Sequence, residues 1–363
     1  MKPPSSVLIV SLRYLGDVLL TTGIARTLRA AWPQAHIGML VFADTAPMLE
    51  GNADIDAVHA LPRRAGWSER FRFGAGLWNK YELALIVQTG DRPHLYGWAA
   101  ARRRVGLVPV KRSKRFWKDA LLAQSLTADA TAHRVSEYAR LPAALGFGGT
   151  PRLRPPTAGL TAAQCSALTG FDVESTPFAL LHPAPRRRYK RWHAAGWRAL
   201  IDALISRGLR VAVTAAPVEA ELGYVAEVLG PSTSRAVDLR GKLSLAQTAD
   251  LLHHAAAYVG PDTATTHLAA ACGTPTVALY GPTDPTLWGP WPAEGLTTAY
   301  EKRFAQQRRG NVVLLQNADL DCVPCQLEGC DRHRESYSRC LDELPVEAVL
   351  SALDRLQARR VGG

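Results

Sequence analysis

The stretch GPDTATTHLAAACGTPTVALYGPTDP, residues 260–285, combines a carboxylate, several hydroxyls and an imidazole at Asp262, Thr263, Thr265, Thr266 and His267. An apolar run, AAYVG, precedes it and reads as a strand; a helix follows, and then TPTVALYG reads as the next strand. Ligands of parallel α/β sheets sit where strands end and helices begin, because the free N–H groups of a helix N-terminus attract anions. A diphosphate suits that position, and threonine hydroxyls add donors. Asp262 would repel phosphate and is better matched to sugar hydroxyls. The plainer reading makes Asp262 or Thr263 a helix cap and His267 a core residue.

A second candidate is Asp17, in the first strand-to-helix turn of SLRYLGDVLLTTGIARTLRAA. A carboxylate is stabilised in its charged form near a helix N-terminus, and facing a crevice it can take a proton from an attacking hydroxyl. Its plainer fate is that of an N-cap. The turn has no G-x-G-x-x-G, which removes the main support for a dinucleotide-dependent oxidoreductase. A third candidate is HPAPRRRYKRW, residues 182–192. Its basic cluster includes Lys190, placed to neutralise a diphosphate leaving group. With Tyr189 and Trp192 alongside, the same run also fits nucleic acid, the bases stacking on the aromatics.

The runs LPRRAGWSERFRF (61–73) and AARRRVGLVPVKRSKRFWKDA (100–120) mix basic and aromatic residues. Arg63, Arg64 and Arg104 are the candidates there for an acceptor that carries phosphates near a membrane, with RNA and a solvated face as alternatives. Cys322, Cys325, Cys330 and Cys340 open with C-x2-C, as a structural zinc knuckle does, and His333 is a spare ligand; the second pair is irregularly spaced. Such a cluster would only staple the last helix.

These groups need a scaffold. At 363 residues the chain exceeds one comfortable core, and 47% hydrophobic with 21% charged residues is globular. Continuous apolar runs at 6–12, 36–42, 54–61 and 82–89 alternate with helical patterns such as 17–31, which means a parallel sheet covered on both faces. The alternation restarts at 177–184, so two doubly wound domains follow one another. Gly and Pro concentrate around 148–160. We expect domains at 1–170 and 171–343 and an amphipathic helix over 344–363. The apolar opening is cut by Arg13, Gly16 and Asp17 and reads as a buried strand rather than a signal peptide, which places the protein in the cytoplasm. Ten His and a net charge of +11 leave the chain attracted to polyanions of several kinds.

LRYLGDVLLTT, ADTAPMLEGNADID, YKRW and GPDTATTHLAAACGTPTVALYGPTDPTLWGPW occur in the same order as motifs of the ADP-heptose:lipopolysaccharide heptosyltransferases of glycosyltransferase family 9. Over nearly the whole chain the sequence resembles that family, and its opening and TAPML segment are most similar to the heptosyltransferase III branch. The resemblance implies a GT-B fold, two Rossmann-like domains facing across a cleft. It implies an inverting, metal-independent transfer of L-glycero-D-manno-heptose from ADP-heptose to the phosphorylated inner core of lipopolysaccharide. Asp17 is then the general base, and Lys190 meets the diphosphate. Asp262, Thr263 and His267 surround the heptose and phosphates, and Glu219, chosen over Glu221, holds the ribose. No cofactor and no nucleic acid are implied, and the protein is placed on the inner face of the inner membrane. Other sugar nucleotides on the same fold, or a basic nucleic-acid-binding α/β protein, are the alternatives.

Overall fold

The computed structural model describes residues 3–230 and 235–357. It divides into two compact units, one ending at Pro156 and the other beginning at Thr157. In the first, the chain runs β1 (Ser6–Val10), α1 (Leu15–Ala31), β2 (His36–Phe42), β3 (Ala57–Leu61), α2 (Trp67–Gly76), β4 (Tyr81–Ile86), α3 (Asp91–Ala100), β5 (Ala101–Val108), α4 (Arg112–Leu121), β6 (Gln124–Thr127) and α5 (Arg134–Ala143). All strands are parallel, in the order β3-β2-β1-β4-β5-β6.

That order follows from the sequence patterns. Val7 to Val10 and Leu83 to Ile86 are apolar on both strand faces and fully buried, as central parallel strands with helices on each side require. From β1 the chain steps to β2 and β3, then returns to the other side of β1 and steps through β4, β5 and β6. Right-handed crossovers therefore place α1 on one face and α2, α3 and α4 on the other. Helix α1 is buried almost all round from Asp17 to Ala25, which explains its continuous apolar pattern.

The second unit contains α6 (Ala162–Thr169), β7 (Phe178–Leu181), α7 (Ala194–Ser206), β8 (Arg210–Val213), α8 (Glu219–Leu229), β9 (Val237–Asp238), α9 (Leu245–His254), β10 (Ala257–Pro261), α10 (Ala264–Ala271), β11 (Thr276–Leu279), α11 (Pro285–Trp288), β12 (Gln306–Arg309), β13 (Val312–Leu315), α12 (Arg339–Asp342) and α13 (Val346–Gln357). Its sheet order is β12-β13-β11-β10-β7-β8-β9, parallel except for the edge strand β12.

Two expected boundaries shift. The division falls at 156/157 rather than 170/171, because Asp250 on α9 binds the chain directly after it: Thr157 Oγ1 donates at 2.6 Å and the amides of Ala158 and Leu160 each at 3.0 Å. Helix α6 thus belongs to the second unit. The C-terminal helix is no separate element either, since Val349, Ala352, Leu353 and Leu356 of α13 join the core built on Trp192, Trp197 and Leu200. Trp192 Nε1 also donates to the carbonyl of Leu344 at 2.9 Å, which fixes the approach to α13. The basic run at 100–120 is likewise divided, its first arginines lying on β5 and the rest on α4.

Trp197 is fully buried with its ring 5.1 Å from that of Trp192. Trp197→Ala is expected to cost the second unit about 3–5 kcal/mol, as large cavities in cores do. Urea unfolding followed by circular dichroism checks this; an unchanged midpoint would contradict the core assignment.

Candidate functional site

A parallel sheet opens a crevice where consecutive connections leave neighbouring strands in opposite directions. In the first unit that point lies between β1 and β4. A cavity of about 440 Å³ sits there, lined among others by Leu12 and Arg13 after β1, Gln88 and Asp91 after β4, and Arg134 and Tyr138 on α5. Asp17, 6% exposed, is bound to two of these lining residues. Arg13 Nε donates to its Oδ1 at 3.1 Å and Tyr138 Oη donates to the same oxygen at 3.3 Å. The carboxylate is held by one oxygen. It is not an N-cap, because Tyr14 occupies that position and α1 begins at Leu15.

Burial, and then the Asp17 carboxylate, hold Tyr138's phenol protonated far above its ordinary range. Burial works to lower the pKa of the Arg13 guanidinium, but Asp17 and then Tyr138 raise it, and the net shift is upward. Gln88 adds another polar group: its Oε1 accepts from the Leu12 amide at 3.1 Å, while its buried Nε2 has no partner and remains a donor on the cavity wall.

The acceptor candidates separate. Arg63 lies close to this cluster: it donates to Asp44 at 2.9 Å and to the Arg13 carbonyl at 3.3 Å, and stacks over Phe42, which lines the cavity. Arg64 is exposed. Arg104 is a correction to the sequence reading, because its guanidinium reaches back to the carbonyls of Ala101 and Leu121, each at 2.5 Å, toward the strand's starting end. Burial lowers its pKa, and it holds β5 against the end of α4.

In the second unit the chain steps from β7 to β8 and β9, then turns to β10 and β11 on the other side, so the switch lies between β7 and β10. Lys190 follows β7 and Asp262 follows β10. They form an ion pair at 2.5 Å, with side chains 25% and 11% exposed. Thr283 Oγ1 donates to the same Asp262 Oδ2 at 2.5 Å, and His267 Nε2 lies 3.8 Å from Oδ1. Burial would raise Asp262's pKa, but Lys190 and then His267 pull it far below the carboxylate range. Burial would lower that of Lys190, and Asp262 raises it.

Thr263, not Asp262, caps α10: its hydroxyl accepts from the Thr266 amide at 3.2 Å. Gly260 is required beside it, since a Cβ there would collide with the Tyr258 hydroxyl and Thr266. The cluster therefore gathers Lys190, Asp262, Thr263 and His267 at one helix N-terminus. The two glutamates of α8 differ: Glu219 is exposed, whereas Glu221 is buried, accepts from the Ala216 amide at 3.2 Å and has a raised pKa from burial.

Two other sequence readings change. Trp192 is fully buried, with its Nε1 bound to Leu344 and its carbonyl accepting from Tyr224, so it offers no face to a nucleic-acid base. The four C-terminal cysteines are free thiols, and among the described residues no group of three or more His, Cys, Asp or Glu has metal-holding geometry. Cys340 is buried, and burial followed by its neighbours Cys325, Cys330 and Cys322 pushes its thiol up to about 12.

Arg13 was within reach of the sequence, lying four residues before Asp17 in the same strand-to-helix turn. Tyr138, Arg134 and Gln88 gave no such signal; they come to the first cluster only through tertiary structure.

The ion pair in the second unit has a definite linkage. The lowered Asp262 pKa contributes stability above its unfolded value near ~3.9, and that contribution is lost as pH falls through the folded value. The raised Lys190 pKa contributes below its unfolded value near ~10.4 and is lost as pH rises through the folded one. Lys190→Met is expected to cost about 3 kcal/mol near neutral pH, the low end for a buried pair because a quarter of Lys190 remains exposed. The loss should shrink as pH is lowered, when the stranded carboxylate folds in its protonated form, and Asp262→Asn in the same chain should recover part of it. Urea titrations across pH read this, and a pH-independent loss would contradict it.

Comparison with known proteins matches residues 68–312 to the model of glycosyltransferase family 9 (heptosyltransferase). Lipopolysaccharide heptosyltransferase 3 of Escherichia coli K12 is 27% identical over 95% of this chain and 96% of its own. A glycosyl transferase family 9 structure from Veillonella parvula superposes with a TM-score of 0.80 at 19% identity, covering 98% of both chains. An E. coli heptosyltransferase solved with ADP-2-deoxy-2-fluoro heptose gives 0.69 at 21% identity, over 96% of this chain and 99% of that one. These structures share the GT-B fold, and the likeness to the heptosyltransferase III branch extends over almost the entire sequence. The chain belongs to glycosyltransferase family 9 and is a glycosyltransferase.

Proposed function

We propose that the protein transfers L-glycero-D-manno-heptose from ADP-heptose to the phosphorylated inner core of lipopolysaccharide, as a heptosyltransferase III type branch addition. The observation that carries this reading is Asp17, buried beside a 440 Å³ cavity and held through one oxygen by Arg13 and Tyr138. Full-length likeness to a lipopolysaccharide heptosyltransferase supports the choice of sugar and acceptor.

The chemistry follows from charge. The second oxygen of Asp17 takes the proton of the acceptor hydroxyl as that oxygen attacks the anomeric carbon of the donor. The bond from the anomeric carbon to the diphosphate breaks as the new glycosidic bond forms, so configuration inverts in one displacement and ADP leaves. Charge then grows on the diphosphate. Lys190, which has ammonium protons beyond the one directed at Asp262, and the N-terminus of α10 receive it. Thr263 and His267 border the same position, Asp262 suits the sugar hydroxyls, and Glu219 is assigned to the ribose. Arg63 and Arg64 stand for the acceptor phosphates, joined by Arg13, Arg92 and Arg134 of the cavity wall. The acceptor is a lipid, so the site of action is the inner face of the inner membrane. No helix among the described residues is long and apolar enough to cross one.

Asp17→Asn should lower kcat by about 10²–10⁴-fold, the range of a lost general base, while ADP still stabilises the fold. Retained turnover would remove Asp17 from that role. ADP and ADP-heptose should raise the melting temperature and UDP and GDP should not, with a stabilisation of about 2.7 kcal/mol at a hundred times Kd. Equal response to all nucleotides would assign a different donor. Tyr138→Phe should reduce kcat about tenfold with the donor KM unchanged, since one hydrogen bond to the base is lost. An effect on donor KM alone would show a merely structural phenol.

A further inference from the structure

Helix α2 has no buried residue, yet it carries three aromatics. Trp67 and Phe71, one turn apart, are 88% and 78% exposed. Trp78, just beyond the helix, meets the exposed Trp98 of α3 edge-on with centroids 5.3 Å apart, and Phe73 meets Tyr96 of α3. Leu95 of α3, Val110 before α4 and Phe116 on α4 are also more than half exposed. Helices α2, α3 and α4 cover one face of the sheet and touch in that order, so these side chains share one outer layer.

Cations surround them. Residues 62–80 hold five basic residues against one acidic, Glu69, and residues 109–121 hold five against one, Asp119. Asp119 is paired with Arg115, and Lys118 with Asp91, while Arg72, Lys80, Lys111, Arg112 and Lys114 are exposed. Contiguous exposed apolar side chains on a monomer mark an interaction surface.

We propose that this face of the first unit docks on an anionic phospholipid bilayer, with Trp67, Phe71 and Phe116 entering the headgroup boundary and the surrounding lysines and arginines meeting lipid phosphates. Charge complementarity selects an anionic partner. The apolar composition then selects a bilayer over nucleic acid: a base stacks on an aromatic ring, but Leu95 and Val110 offer none, whereas exposed tryptophans ringed by basic residues suit the membrane interface. The inference deepens the proposed function, on which the choice of a lipid-borne acceptor rests, by naming the surface that brings the enzyme to it.

The test uses the full chain and sedimentation with phosphatidylcholine vesicles, with and without phosphatidylglycerol, alongside tryptophan emission. Binding to the anionic vesicles, weakened by salt and accompanied by a blue shift, is expected. The triple variant Trp67→Ser/Phe71→Ser/Phe116→Ser should partition roughly tenfold more weakly. Its ADP-induced thermal shift and its turnover of a delipidated core oligosaccharide should stay unchanged. Absence of vesicle binding, or equal binding by the variant, overturns the proposal. So does binding of single-stranded RNA that the variant loses while vesicles are ignored. Failure of the ADP response with vesicle binding intact would instead strike the donor assignment, so the two readings fail separately.

Discussion

Everything that can do chemistry in this protein depends on where two parallel sheets change direction. A strand whose successive connections run the same way has its carboxyl end covered by the next loop. At β1/β4 and β7/β10 the connections diverge, and the ends stay open. Asp17 with Arg13 lies at one such opening, Lys190 with Asp262 at the other. The carboxyl-end segments of these strands, such as Val7 to Val10 and Leu83 to Ile86, are apolar and fully buried, so the polar groups above them rest on backbone that cannot readily shift.

The two carboxylates are in different electrical situations, which separates their roles. Asp262 is engaged at both oxygens, Oδ2 by Lys190 and Thr283 and Oδ1 by the nearby His267. Its low pKa makes it a poor proton acceptor and a good fixed charge. Asp17 receives both its hydrogen bonds on Oδ1. A carboxylate steadied through one oxygen keeps the other available for a proton, and a phenol that stays protonated is a dependable donor to it. This asymmetry favours the first unit's aspartate as the base in the proposed mechanism.

The parallel strands were readable because burial on both faces forces continuous apolar runs. The run 36–42 matches β2 residue for residue. Strand β5 was hidden, because Arg102, Arg103 and Arg104 at its start look like a solvent-facing charge run, and β12 was hidden because an edge strand of Gln and Arg lacks alternation. Among the candidate-site residues, those in a strand-to-helix connection or the helix that follows it were legible: Asp17, Lys190, Asp262, Thr263 and His267. Tyr138, 121 positions from Asp17, was not, since nothing local distinguishes a tyrosine that packs against a distant carboxylate from one that fills a core. The unit boundary was misplaced for a similar reason: Asp250 decides it from more than ninety residues away.

Basic charge shows most clearly why composition alone underdetermines function. The same residue type meets three fates here. Arg104 satisfies backbone carbonyls, Arg13 and Lys190 hold carboxylates at the strand ends, and Arg72, Arg112 and Lys114 stand in solvent. The last group stands on an outer face, where a large anionic partner can meet it, while the others are held by carbonyls or carboxylates. The net +11 is therefore not spread evenly in effect. Exposed cations of this kind flank α2 and α4, where the exposed aromatics also lie. A surface that leaves both its cations and its apolar rings unpartnered is incomplete in two respects at once, and a partner that supplies phosphates over an apolar interior answers both.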